Sequence, residues 1–322
     1  MEFPRAALNI QRALALVILS AVICTAVVER SSPLSEKIRT LKPWPFWLSV
    51  REPGRAAAPA LHLGVYDPLR RSLVLIRVPE STKLQGKLTA ARAYVDALRA
   101  TDDEASASRA VIALAEAKIS ALSLEPISWQ DAGRLAINLE PDDEDDEPAV
   151  PAALALKRRG RSFRALASLL LRSVQGLLKG EVSAADAFFL TLELRRVPLE
   201  NLEPALLPDD ASAPAFLARA FAPSAAPEPD GKAIVVEVLN GTDVQGLATQ
   251  AMKVLRSKGM DAMVLGQTHP RSRTVVYDRT GDFNRAARVR AALGCPAAIA
   301  ATRIDVLRGV DASVELGDDC RF

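Results

Sequence analysis

The sequence predicts a protein of the α/β (α+β) class, with an N-terminal transmembrane helix, a mixed α/β middle domain and a small C-terminal βαββαβ domain. Three observations carry that reading. A charge-free run, Ala13 to Val28, lies near the start of the chain. Apolar residues then recur at helical spacing between 105 and 122 and between 162 and 178. Finally, a Pro/Ala-rich stretch gives way abruptly to the β-branched run Ala233 to Leu239.

The N-terminal run is flanked by Arg5 and Arg12 before it and by Glu29 and Arg30 after it. It is slightly short for a spanning helix of about 20 residues, and Ala6 to Ile10 extend it. A cleaved signal peptide and a buried core helix are the competing readings; the second needs protein on every side of the segment. Ile23 is bulky where a lipoprotein needs a small residue before Cys24, so residues 1–30 read as a short tail and an uncleaved anchor. Arg30, Lys37, Arg39 and Lys42 outnumber Arg5 and Arg12, which favours an outside N-terminus, whereas a short tail ahead of a first apolar segment favours an inside one. Residues 31–60 read as a Pro-rich linker, in which Trp44, Phe46 and Trp47 form either a membrane-interface collar or incidental aromatics.

With 322 residues the chain has room for two domains, and a net charge of +2 gives no pull toward nucleic acid. Hydrophobic residues make up 49% but aromatics only 5%, so the cores are expected to be built from Ala, Leu and Val. His62 and His269 are the only histidines, too few for multi-histidine chemistry. Cys295 and Cys320 are either a disulfide tying down the C-terminus, in an oxidising compartment, or small buried hydrophobes. Nothing points to a cofactor, and no metal ligands are nominated.

In the middle, residues 61–208, Leu61 to Tyr66 and Leu73 to Val78 read as strands around the turn at Asp67-Pro68. A helix carries Ile112, Ala115, Ile119 and Leu122. A second runs from Ser162 to Leu178 with Phe163, Leu166, Leu170, Val174 and Leu177 on one stripe, and a third starts near Ser183. The acidic run Asp142 to Glu147 lacks the spacing and glycine of a calcium loop and reads as a solvated loop. A linker is expected over 209–231.

The last part, 232–322, begins with the strand Ala233 to Leu239. Asn240-Gly241-Thr242-Asp243 then turns the chain, and Thr242 or Asp243 caps a helix with Leu247, Ala251, Val254 and Lys258, ended by Gly259. Strands Ala262 to Leu265 and Thr274 to Tyr277 follow. A helix from Asp282 to Leu293, with Phe283, Ala286, Val289 and Leu293 inward, stops at Gly294, and a last strand spans Ala312 to Leu316. Two helices should cover one face of about four strands.

Val238-Leu239-Asn240-Gly241-Thr242, Gly246-Leu247-Ala248, Leu293-Gly294 and Val314-Glu315-Leu316-Gly317-Asp318-Asp319 together resemble the LytR C-terminal domain of the LytR/CpsA/Psr family. That resemblance implies a module outside the membrane. The Asn240-Gly241-Thr242 turn then has two readings: a site for a phosphate or carboxylate of the cell wall, or a turn the fold requires.

Residues about 60–208 resemble a degenerate form of the same family's catalytic domain, through Asp67-Pro68, Val78-Pro79-Glu80-Ser81-Thr82, Asp131 to Ile137 and the helices ending at Leu207-Pro208. The resemblance implies transfer of a glycopolymer from polyprenyl pyrophosphate to the wall, with arginines on the pyrophosphate and aspartates on a divalent cation. Here Glu80 and Ser81 stand where the family's strand end has Arg and Asp, and Pro59-Ala60 where it has an aspartate. An acid at Glu80 repels the diphosphate that a guanidinium would grip. Arg158, Arg159, Arg161 and Arg164 fall at the family's second arginine cluster and read as a weak phosphate site or a solvated basic patch. No catalytic residue is nominated.

The expectation is a membrane-anchored, extracytoplasmic binding or scaffold protein, meeting a cell-wall polymer or another envelope protein and no nucleic acid. A phosphotransferase with relocated ligands and a membrane-tethered cytoplasmic adaptor are the alternatives.

Overall fold

The structure, a computed structural model, describes residues 26, 29–30, 32–51, 58–124, 126–138, 149–178, 183–221 and 232–322. The expected anchor, Ala13 to Val28, lies almost wholly outside them, as do the acidic run Asp142 to Glu147 and residues 222–231. Among the described residues no helix is long and apolar enough to cross a membrane.

The middle of the chain is built on a meander of β1 (Trp44–Arg51), β2 (Ala60–Asp67) and β3 (Ser72–Val78), flanked by β6 (Gly133–Asn138) parallel to β1 and β7 (Leu202–Leu206) parallel to β3. A small hairpin, β4 (Lys83–Gln85) and β5 (Leu88–Thr89), leads into α2 (Ala90–Thr101) and α3 (Glu104–Leu122). These two helices and α7 (Ala213–Phe221) share one core with Trp47, Leu63, Ile76 and Ala205. The opposite face carries Trp44, Phe46, Leu48 and Val50 against α1 (Pro33–Thr40), α4 (Ala149–Arg161) and α6 (Ser183–Leu194). This side-to-side alternation along β1 is the period-2 pattern of a strand covered on both faces.

Residues 44–51 are therefore neither a linker nor a membrane collar. Trp44, Phe46 and Trp47 are each 0% exposed. Glycines make room for them: a Cβ at Gly64 would collide with the Phe46 ring and one at Gly133 with the Trp44 indole. The two rings stack 5.3 Å apart. The expected helices stand at Glu104–Leu122 (α3), Phe163–Leu178 (α5) and Ser183–Leu194 (α6). On the α5 stripe Leu166 is buried and Leu170 half-buried, while the side chains of Phe163, Val174 and Leu177 lie outside the described ones.

The C-terminal part comprises β8 (Val235–Asn240), α8 (Leu247–Ser257), β9 (Asp261–Gln267), β10 (Val275–Asp278), α9 (Phe283–Leu293), β11 (Ile299–Thr302) and β12 (Ala312–Leu316). The expected βαββαβ order gains β11, whose four residues, Ile, Ala, Ala and Thr, are too short a run to stand out in the sequence. The capping expectation also changes. Helix α8 starts from Gly246 at φ 79°, with no side-chain cap, so neither Thr242 nor Asp243 caps it. Gly259 at φ 82° and Gly294 at φ 77° follow the two helices as expected.

The two parts share one ten-stranded sheet in the order β6-β1-β2-β3-β7-β11-β10-β12-β8-β9. The seam is the parallel pair β7–β11, where Ala205 faces Thr302. Helix α7, formed by residues 213–221, lies inside the stretch expected to be a linker, with Ala213, Phe216 and Leu217 buried. Val150 of α4 packs beneath Val275, Tyr277, Ile299 and Ala301, which bridges the parts from the other face.

Candidate functional site

The end of β3 is closed by local structure. The Thr82 N–H donates to Pro79 O at 2.9 Å, and Ala91 N–H donates to Glu80 O at 3.2 Å as α2 begins. Glu80 lies 3.9 Å from the guanidinium of Arg77, itself only 5% exposed. The space beside Glu80, between Pro59, Tyr94 and Ser108, is about 20 Å³, too small for a diphosphate.

A separate, larger cleft of about 530 Å³ lies between β1, β6 and the first half of α3, and shares Ser49, Pro59, Tyr94 and Ser108 with that space. Arg51, Arg109 and Arg134 line it, together with Tyr94, Ile112 and Ile137. Sequence reading missed this cleft, because its arginines come from two strands and a helix with no common motif. Each arginine already faces a carboxylate. Arg51 pairs with Glu104, Arg109 lies 3.9 Å from Asp103 and Arg134 lies 3.5 Å from Glu116. Burial, and then the Glu104 charge, pushes the Tyr94 hydroxyl above its ordinary pKa, so Tyr94 is a neutral wall of the cleft.

Arg158 and Arg159 sit in the last turn of α4, where cations meet the negative end of the helix dipole. Arg158 is exposed and Arg159 half-buried. They are not among the residues lining the β1/β6 cleft. His62 is buried in β2 and His269 is exposed beyond β9, near opposite ends of the sheet. Among the described residues no group of three or more His, Cys, Asp and Glu is disposed to hold a metal.

The Asn240-Gly241-Thr242 turn spends its donors internally. The Gly241 N–H donates to Leu316 O at 3.0 Å, and Asn240 Oδ1 accepts from the Thr242 N–H and hydroxyl at 3.1 and 2.9 Å. Asn240 Nδ2 donates to Val244 O at 2.9 Å. A Cβ at Gly241 would meet Leu316 O at 2.6 Å and His269 O at 2.9 Å, so the position requires glycine. The Gly241 N–H ties β8 to β12, and bonds from the Thr268 N–H to Asn240 O at 2.9 Å and from the Arg271 N–H to Gly241 O at 2.8 Å tie the turn to the loop after β9.

Cys295 and Cys320 are joined by a disulfide, with Cα atoms 5.3 Å apart, and both are buried beside Leu293 and Ala298. The bond fastens the last residues to the end of α9. Thr274, bonded to Asp319 Oδ1 at 2.7 Å through both its N–H and its hydroxyl, holds the same tail from β10.

Residues 233–319 match the family described as LytR cell envelope-related transcriptional attenuator. They form a LytR C-terminal domain. The match relates the chain to cell-envelope proteins, and residues 60–208 lie outside it. The chain is also similar to the structure titled "Solution Structure of the C-terminal domain of RV0431", at 19% identity, over 30% of this chain and 81% of that one, with a TM-score of 0.21. No curated protein matches the chain.

The domain's sheet face opposite its helices holds polar groups that the sequence pattern did not single out. Arg271 pairs with Glu315 at 2.6 Å, both largely buried. Arg279 Nε donates to Ser313 Oγ at 2.6 Å, Ser313 donates to Glu237, and Arg308 donates to the same Glu237 oxygen at 2.6 Å. Glu237 and Glu315 alternate with Val236, Val238, Val314 and Leu316, so one strand pair serves an apolar and an ionic layer at once. At the outer margin β9 ends the sheet and exposes Met263, Val264 and Leu265.

Proposed function

We propose that this protein is a membrane-anchored, extracytoplasmic cell-envelope component that binds or scaffolds and does not transfer glycopolymers. The observation that carries the reading is the closed strand end at Glu80. The carboxylate there lies beside Arg77, and the adjoining space is too small for a diphosphate. The arginines of the neighbouring cleft are matched by Glu104, Asp103 and Glu116, which lowers the positive charge it offers a diphosphate.

Binding falls to the LytR C-terminal domain, whose ligand class is a wall polymer or another envelope protein. The exposed edge of β9 supports the protein alternative. An apolar edge strand offers backbone donors and acceptors to an extended partner, with Val264 and Leu265 as side-chain contacts. The disulfide supports an oxidising compartment.

Two measurements test the proposal. The purified chain, given a polyprenyl-pyrophosphate-linked glycan, Mg²⁺ and wall acceptor, is expected to give no transfer; turnover that disappears in Arg158→Ala or Arg159→Ala would establish the transferase instead. A reporter active only in the cytoplasm, fused after Phe322, is expected to be silent. A signal from it would place the bulk inside and leave the adaptor reading.

A further inference from the structure

A groove of about 540 Å³ runs between α1 and α6, on the side of the molecule where the chain comes from the apolar run. We propose that this groove is a docking site for the headgroup of an anionic phospholipid in the bilayer that Ala13 to Val28 enters. The inference rests on the anchored reading above.

Position is the first argument. Glu29 lines the groove and directly follows Val28, the last residue of the apolar run. One residue spans at most about 3.6 Å, and the headgroup layer on each side of a bilayer is about 5–8 Å deep. The groove therefore meets the bilayer at headgroup depth.

Charge is the second. Arg39, Arg195 and Arg196 line the groove. Arg196 is paired with Glu193 at 2.8 Å. Arg39 and Arg195 are exposed and make no ion pair among the described residues, in contrast to the arginines of the β1/β6 cleft. With Glu29 and Glu193 opposing three guanidiniums, the groove keeps a net positive charge, and its two unpaired forks suit phosphate oxygens.

Chemistry distinguishes a lipid from free phosphate. Ile38, Phe189 and Leu192 share the groove with the arginines. An inorganic phosphate would leave them wet, whereas a phospholipid brings its glycerol ester and first acyl carbons to cover them. The groove is also held in shape, since Asp186 of α6 fixes the start of α1 through Ser32 and Leu34, and Lys37 pairs with Asp131 at 3.1 Å.

The test uses the full chain in nanodiscs of phosphatidylcholine alone or with about a third phosphatidylglycerol, read by amide hydrogen exchange. Residues 33–41 and 188–196 are expected to exchange about tenfold more slowly in the anionic discs, and the Arg39→Gln/Arg195→Gln double variant to lose that difference. Unchanged exchange in residues 247–257 confirms that the variant is folded. Equal exchange in both bilayers, or slowing that survives the double variant, overturns the docking site. Slowing reproduced by inorganic phosphate in neutral discs overturns the lipid assignment. A chain that fails to co-elute with discs refutes the anchor itself, and the docking site with it.

Discussion

Ser32 Oγ donates a 2.7 Å hydrogen bond to the buried carboxylate of Asp186, and the Leu34 N–H reaches the same oxygen at 3.2 Å. Residues far apart in sequence thus fix the helix that follows the apolar run onto the α5/α6 hairpin. The arrangement places a carboxyl where water is largely absent.

Burial raises the Asp186 pKa from 3.8 to about 6, against the opposing pull of the Ser32 hydroxyl and the Leu34 N–H. A carboxyl whose folded pKa is raised binds its proton more tightly in the native state. Its contribution is therefore complete below about pH 3.8 and is lost as pH rises through about 6, a swing of about 3 kcal/mol. Asp186→Asn keeps the Oδ1 acceptor and removes the charge. Urea unfolding of this variant is expected to lose the fall in stability between about pH 4 and pH 6, and to show higher stability than the parent at pH 7. An unchanged pH profile would show that Asp186 stays ionised in the native state.

Gly64 and Gly133 lie where any Cβ would enter the Phe46 and Trp44 rings. Gly64→Ala and Gly133→Ala are each expected to cost about 1–3 kcal/mol by forcing the stacked pair off its rotamers. Gly86, with nothing within 4 Å of a Cβ but a φ of 55°, makes a contrasting control, because its cost is confined to local backbone strain. Denaturant midpoints followed by tryptophan fluorescence would rank the three.

The seam between the two parts is held by Glu203, which accepts from Arg219 at 2.9 and 2.5 Å and from the Thr302 hydroxyl at 2.6 Å. Glu203→Ala leaves the half-buried Arg219 guanidinium without its hydrogen-bonded carboxylate, at an expected cost of about 1–3 kcal/mol. Thr302→Val removes one neutral donor and should cost about 1 kcal/mol. Trp44, Trp47 and Trp129 all lie on the β1–β3 side, so tryptophan fluorescence reports that side alone. In Glu203→Ala its unfolding midpoint should separate from that seen by far-UV circular dichroism. Coincident transitions would mean that other contacts suffice to couple the halves.

The Cys295–Cys320 bond closes a loop with a sequence separation of 25. Loop-closure entropy for that length corresponds to about 3.5 kcal/mol. Reduction, or the Cys295→Ser/Cys320→Ser pair, should lower the thermal midpoint and speed exchange in β12 and the last turn of α9. No change in midpoint would show that the Thr274–Asp319 contacts hold the tail unaided.

The sequence alone determined the elements whose period is strong and whose ends are chemically marked. The β2/β3 hairpin, helices α3, α5 and α6, and the strand–turn–helix at Asn240 are of this kind, because alternation, helical spacing and glycine or proline stops are properties of neighbouring residues. The likeness of residues 233–319 to the LytR C-terminal domain was legible for the same reason. Tertiary structure alone decided three things. It made Trp44 to Arg51 a buried strand, although its proline and aromatics read equally as a linker, since only the glycines at 64 and 133 on other strands give its rings room. It turned residues 213–221 and 299–302 into a core helix and a seam strand, because burial between layers stabilises segments too short to hold on propensity alone. And it gathered Arg39, Arg195 and Arg196 into one groove while pairing Arg51, Arg109 and Arg134 with acids in another, a distinction set by distance in space that charge counting along the chain does not contain.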